Sequence, residues 1–97
     1  MKLRFTPRAV QDLAAIADHI RTHSPMAAGL VRSAVLHSLQ NLILFPQAGR
    51  AQTVEGVRKL VVRKYPYLVY YTVDETAEEI IILAIRHPAQ EREHEDA

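Results

Sequence analysis

The segment spanning residues 56–87 constrains the fold most, because it contains three short runs of strand-forming side chains. Residues 57–63 and 67–73 are rich in β-branched and aromatic side chains, and Tyr65-Pro66 between them marks a turn. These two runs predict a β-hairpin. The third run, residues 79–86, contains four isoleucines and almost no polar side chain, which predicts a central strand covered on part of both faces.

The chain before this segment predicts one further strand and two helices. Residues 2–5 alternate charged and apolar side chains, which favours a short strand at an edge of the later sheet. Thr6-Pro7 is a cap followed by proline, and helical spacing of apolar residues continues to about His23. Ser24-Pro25 repeats this signal for a second helix, which runs to about Leu44.

This order of elements predicts an α+β fold, β-α-α-β-β-β. We expect a two-helix antiparallel hairpin packed on one face of a small, twisted, mainly antiparallel sheet of about four strands. Residues 1–90 form this single domain, with residues 51–55 as a polar connector into the sheet. The charged tail, residues 91–97, is expected to be frayed.

Composition excludes several classes of protein. The 97 residues suit one domain. Cysteine is absent, so neither a disulfide framework nor a thiolate metal site is possible. No apolar run reaches the roughly 20 residues that span a bilayer, and no apolar segment of a signal peptide follows Met1. A cytoplasmic location is therefore expected.

The net charge of +1 hides a strong asymmetry. Residues 1–64 hold ten Lys and Arg against three Asp and Glu, a balance of +7, whereas residues 65–97 hold two against eight, a balance of −6. The basic side chains concentrate at the predicted hairpin: Arg58, Lys59, Arg63 and Lys64, with Arg50 and Arg86 expected to join them. Such a patch suits an acidic protein or a phosphate backbone, although lysine and arginine also protect solvated strand edges.

Two groups of residues could carry chemistry. His19 and His23 are spaced to place two imidazoles on one metal ion, but no third ligand is obvious, so an exposed, unligated pair is favoured and neither metal nor cofactor is expected. Arg86-His87 could serve phosphodiester cleavage, with the histidine moving a proton and arginines stabilising the developing charge. The simpler interpretation is a histidine at a strand end that hydrogen-bonds the turn.

An ordered set of short motifs carries a family likeness. It consists of Phe5-Thr6-Pro7 with Ala9, Asp12-Leu13 and Ile16, then Phe45-Pro46 with Gly49-Arg50, Gly56-Val57-Arg58, Tyr67-Leu68-Val69-Tyr70-Tyr71 and Ile85-Arg86-His87. The set covers about residues 3–92 and resembles the RelE/ParE superfamily of bacterial toxins. The resemblance implies the toxin of a type II toxin–antitoxin pair, held inactive in a hetero-oligomer by an antitoxin whose C-terminal segment wraps it.

The resemblance leaves two activities open. RelE-like members cleave mRNA on the ribosome with arginine or lysine on the middle strands and a histidine or tyrosine after the last strand, which here would be Arg58, Arg86 and His87. Tyr67, however, stands where related ribonucleases carry an arginine, and no tyrosine follows Tyr71. ParE-like members inhibit DNA gyrase and need no catalytic residue.

The Phe-Pro-x-x-Gly-Arg turn and the Gly-x-Arg before the second strand look more like the ParE branch. Gyrase inhibition is therefore favoured over mRNA cleavage. A module that binds antitoxin without being toxic is the remaining alternative.

The predicted antitoxin surface is an apolar groove with a basic rim, because basic and apolar side chains share one face of the first hairpin strand. A partner for it should bring acidic residues and an amphipathic helix. The expected partner-binding residues are Arg50, Arg58, Lys59, Leu60, Val62, Arg63, Lys64 and Arg86.

Overall fold

Two helices cover one face of a five-stranded sheet in the computed structural model, which describes residues 1–88. The elements are β1 (Lys2–Phe5), α1 (Pro7–His23), α2 (Pro25–Leu44), β2 (Arg50–Ala51), β3 (Val57–Val61), β4 (Leu68–Asp74) and β5 (Glu79–Arg86). The strand order is β1-β5-β4-β3-β2, with β1 parallel to β5 and every other pair antiparallel. The predicted α+β architecture is confirmed, and the tail at 91–97 lies outside the described residues.

Both helices begin at the caps that the sequence indicates. The Thr6 hydroxyl accepts a hydrogen bond from the Ala9 amide at 3.1 Å, and the Ser24 hydroxyl accepts one from Ala27 at 3.2 Å. The Ser24 amide also donates to the Ile20 carbonyl at 2.8 Å. Ser24 therefore ends α1 and starts α2. Because a single residue connects them, the two helices form a helical hairpin. Neither helix within residues 1–88 is long and apolar enough to cross a membrane.

A β-bulge in the last strand places two core residues three positions apart. The pairing of β4 with β5 shifts between Tyr70 and Tyr71, which leaves Leu83 as the extra residue on β5. The shift lets Ile82 and Ile85, three residues apart, both point into the core, where both are buried. The Leu83 carbonyl accepts a 2.9 Å hydrogen bond from the N-cap threonine of α1, so the bulge also fixes where α1 starts.

The first hairpin strand is shorter than predicted, the second is shifted by one residue, and the sheet has one more strand. β3 ends at Val61 and β4 begins at Leu68, so Arg63 and Lys64 lie in the intervening loop. Lys64 has a φ of 79°, a left-handed conformation that a strand cannot contain. The additional strand is β2, which has two residues, pairs with β3 and includes Ala51, the first residue of the predicted polar connector.

A buried tyrosine holds β2 and the preceding turn against the sheet. Tyr71 is fully buried on β4, and its hydroxyl donates to the Pro46 carbonyl and accepts from the Gly49 amide, both at 2.8 Å. Arg58, which pairs with Tyr71, donates to the Gly49 carbonyl at 2.7 Å and to the Gln47 side chain at 3.0 Å. Burial raises the pKa of Tyr71, while the Gly49 amide and Arg58 act in the opposite direction. We call these contacts the Tyr71 network.

Adding one methyl group at each of two glycines should test the Tyr71 network. A Cβ at Gly49 would stand 2.6 Å from the Tyr71 hydroxyl and ring, so Gly49→Ala should displace Tyr71 and lower the free energy of unfolding by about 1–3 kcal/mol. Gly29 lies inside α2 with nothing within 4 Å of its would-be Cβ. Gly29→Ala should therefore stabilise by up to about 1 kcal/mol. Urea unfolding measures both variants, and equal effects would contradict this account.

Candidate functional site

The sheet divides the predicted basic patch between its two faces. Alternation along β3 places Arg58 on the face that packs against the helices and Lys59 on the open face. Arg50 pairs with Lys59 and shares the open face. Arg86 follows the buried Ile85 on β5 and also points to the open face. Three of the predicted basic residues are thus brought to one surface, but Arg58 is not among them.

The three residues proposed for RNA cleavage are not brought together. Arg58 pairs with Tyr71 and Arg86 pairs with Leu68, and β4 lies between their strands. Two strand spacings and three residues of offset separate their Cα atoms by roughly 14 Å. Their side chains also leave opposite faces of the sheet, and the Arg58 guanidinium is held by Gly49 and Gln47. Arg58 therefore supports the fold and does not reach a site at His87.

Several of the predicted interface residues line a groove between α2 and the outer edge of β3. One part, about 350 Å³, runs beside the end of α2 and β3, and the other, about 510 Å³, continues along α2 to the β3–β4 loop. Ser38 and Arg63 line both parts. The remaining lining residues are Leu30, Ser33, Ala34, His37, Asn41, Leu42, Phe45, Ala48, Leu60, Val61, Lys64 and Tyr65. We call this surface the α2–β3 groove.

The α2–β3 groove combines exposed apolar side chains with positive charge. Phe45 is 64% exposed and Val61 is 62% exposed. Arg63 and Lys64 stand at the loop end, and no acidic residue lines the groove in the described part of the chain. Val62, which the sequence places in the interface, is instead 2% exposed in the core. The expectation fails for Val62 because alternation turns it toward the helices, and Val61 takes its place at the surface.

Sequence reasoning missed a second concavity, which lies between α1 and the end of β5. The side chains of Asp12, His19, Tyr67 and His87 line this cleft of about 360 Å³. Tyr67 meets His87 edge to face, with ring centres 5.6 Å apart. We call this the α1–β5 cleft. The residues that line it come from distant parts of the chain. The one available signal in the sequence was the spacing of Asp12 and His19, which are seven positions apart on α1 and therefore lie two turns apart on the same face.

Two groups in the α1–β5 cleft are held by the fold. The Asp12 carboxylate accepts a hydrogen bond from the Ile85 amide at 3.0 Å and lies 3.9 Å from the Arg8 guanidinium. Burial raises the pKa of the Tyr67 phenol, so this hydroxyl stays protonated at neutral pH and can donate a hydrogen bond. The cleft therefore offers one fixed carboxylate, one phenol donor and two imidazoles.

Comparison with known proteins defines the class. Residues 3–92 match the family model described as ParE toxin of type II toxin–antitoxin system, parDE. Toxin RelE2 of Caulobacter vibrioides is 36% identical over 86 residues, covering 89% of this chain and 93% of that protein. A chain of the chromosomal ParDE toxin–antitoxin system from P. aeruginosa superposes with a TM-score of 0.78 at 31% identity, covering 90% of this chain and 95% of that one.

A more distant structure shares the fold alone. A chain of the intact E. coli RelBE toxin–antitoxin complex superposes with a TM-score of 0.64 at 15% identity, covering 89% of this chain and 94% of that one. Fold and family together define a toxin of the RelE/ParE superfamily. The chain belongs to the ParE toxin family of type II toxin–antitoxin systems.

Adjacent alanine substitutions should separate the structural from the exposed basic side chain. Arg58→Ala removes the hydrogen bonds to the Gly49 and Gln47 acceptors and should lower the free energy of unfolding by about 1–3 kcal/mol. Lys59→Ala, on the open face, should change it by no more than about 0.5 kcal/mol. Urea denaturation gives both values. A larger loss for Lys59→Ala would show that Arg58 does not anchor the turn.

Proposed function

We propose that this toxin inhibits DNA gyrase and that its antitoxin neutralises it through the α2–β3 groove. The observation that carries the proposal is the match to the ParE family model over residues 3–92. The likeness to a chain of the P. aeruginosa ParDE system, over nine-tenths of this chain, supports it further.

The placement of the basic residues also favours a binding function over nuclease chemistry. Cleavage of a phosphodiester needs a proton-transfer group and a charge-stabilising group within reach of the same phosphate. Arg58 is turned to the helix side, about 14 Å from Arg86 between Cα atoms. Arg50 and Lys59 instead lie on the open face, together with the half-buried Arg86, an arrangement suited to an acidic protein surface.

The proposed antitoxin surface has an exposed strand edge as well as a groove. β2 pairs with β3 only at Lys59 and Arg58. Beyond them, the outer edge of Leu60 and Val61 has no strand beside it in the described residues. An extended segment can add to such an edge by backbone hydrogen bonds, and an amphipathic helix can place apolar side chains beside Phe45. With Arg63 and Lys64 at its end, the groove selects an acidic partner.

Matched valine substitutions test the groove. Val61 and Val54 are exposed to nearly the same extent, 62% and 65%, but only Val61 lines the α2–β3 groove. Val61→Asp should weaken binding of the cognate antitoxin at least tenfold, because a carboxylate replaces an apolar contact in a basic, desolvated interface. Val54→Asp should leave the dissociation constant unchanged. Calorimetric titration gives both constants, and equal values would remove the groove from the interface.

The α1–β5 cleft supports the alternative of a ribosome-dependent mRNA endoribonuclease. His87 is exposed at the end of β5 with Tyr67 against it, and His19 and Asp12 line the same cleft. An imidazole and a phenol can transfer protons to and from a phosphodiester. In this alternative His87 transfers the proton, whereas gyrase inhibition requires no proton transfer by His87.

His87→Ala distinguishes the two activities. For a gyrase inhibitor the substitution should leave growth arrest, a DNA damage response and intact mRNA unchanged, whereas Lys59→Glu on the open face should reduce toxicity. For a ribonuclease His87→Ala should lower the cleavage rate by roughly 10²- to 10⁴-fold. Controlled expression with growth, damage response and transcript integrity as readouts decides between them. Rapid transcript cleavage lost on His87→Ala would overturn the proposal, and absence of growth arrest would indicate a non-toxic antitoxin-binding module.

A further inference from the structure

Two imidazoles that the proposed function does not require lie one turn apart at the end of α1. His19 and His23 are both exposed, and their ring centres are 5.3 Å apart with the ring planes inclined at 41°. Within residues 1–88 the structure gives neither ring a hydrogen-bond or ion-pair partner. The lone pairs of both rings are therefore open to a ligand.

The separation of the two rings matches shared coordination of one ion. Transition-metal ions bind imidazole nitrogen at about 2.0–2.1 Å, and the ring centre lies about 1.2 Å beyond that nitrogen, so each centre would stand about 3.2 Å from the ion. Two such rings at a tetrahedral angle have centres about 5.2 Å apart. The observed 5.3 Å equals this value within the precision of the estimate. The backbone spacing of the two residues therefore brings the rings to a separation that one shared ion requires.

The position on the helix also favours a cation. His19 and His23 lie in the last two turns of α1, which ends at His23, where the unpaired carbonyls carry the negative end of the helix dipole. The charged neighbours Asp18 and Arg21 form an ion pair at 3.1 Å, so the arginine charge is largely compensated. The local electrostatics therefore do not oppose a bound ion.

We propose that His19 and His23 chelate one transition-metal ion, Zn²⁺, Ni²⁺ or Cu²⁺, with water at the remaining coordination positions. Imidazole suits these ions, whereas Ca²⁺ and Mg²⁺ prefer oxygen ligands. The described residues contain no cluster of three potential protein ligands, so the protein supplies two ligands. The proposal departs from the expectation, drawn from spacing alone, of an unligated pair, and it is independent of the proposed toxin activity.

Titration of the full-length, untagged protein with single metal ions tests the site. Calorimetry should show one Cu²⁺, Ni²⁺ or Zn²⁺ bound per chain, with Cu²⁺ bound most tightly, and no uptake of Ca²⁺ at the same concentrations. His19→Ala and His23→Ala should each weaken binding at least tenfold, because each removes one of the two ligands. His37→Ala is the matched control, since His37 is an exposed histidine alone on α2, and it should bind as the unmodified protein does.

Both alanine variants should remain folded, because the side chains are exposed and alanine favours the helix. Circular dichroism of each variant provides that check. Broadening of histidine ring signals by Cu²⁺ gives a second readout, expected at positions 19 and 23 alone. The proposal is overturned if the unmodified protein binds none of the three ions, if both variants bind as tightly as it does, or if His37→Ala weakens binding equally.

Discussion

The Tyr71 network is the constraint on which the functional surfaces depend. The Tyr71 hydroxyl accepts a hydrogen bond from the Gly49 amide and donates one to the Pro46 carbonyl. Arg58, on the adjacent strand, donates to the Gly49 carbonyl. These contacts fasten the five-residue turn between α2 and β2, residues 45–49, against the sheet. With them, the end of α2 is held beside β3, and the α2–β3 groove acquires its two walls. β2 is held at the same point and covers only the first part of the β3 edge.

Much of this architecture could be predicted because local chemistry and global packing agree. The two cap-and-proline signals at Thr6 and Ser24 set the starts of both helices, and the isoleucine-rich run gives a strand that is covered by α1 and flanked by two neighbours. β2 was not predicted, because a two-residue strand is too short to show a periodicity and is defined only by its pairing with β3. The bulge at Leu83 was missed for the same reason, because register is set by pairing between strands and not by the run itself.

The site was less predictable than the fold, and for a physical reason. A count of charges along the chain cannot say which face of a strand each side chain leaves, so Val62 was assigned to a surface that it does not reach. The hydrogen bonds of Arg58 to the Gly49 turn were not foreseen for the same reason. The sequence does give the alternation, but which of the two faces the helices cover depends on tertiary packing. The α1–β5 cleft lies between α1 and the end of β5, which are more than 60 residues apart in the sequence. A local sequence pattern cannot predict a contact between such distant segments.

We propose a toxin that acts by binding, with Arg50, Lys59 and Arg86 on the open face of the sheet and the antitoxin groove between α2 and the outer edge of β3. The central claim is tested most directly by adding the purified toxin to DNA gyrase and relaxed plasmid DNA, with a ribosomal translation reaction run in parallel. The account predicts that negative supercoiling is inhibited, that activity returns when the antitoxin is added, and that mRNA in the translation reaction stays intact. Unimpaired supercoiling together with ribosome-dependent cleavage of the mRNA would contradict it.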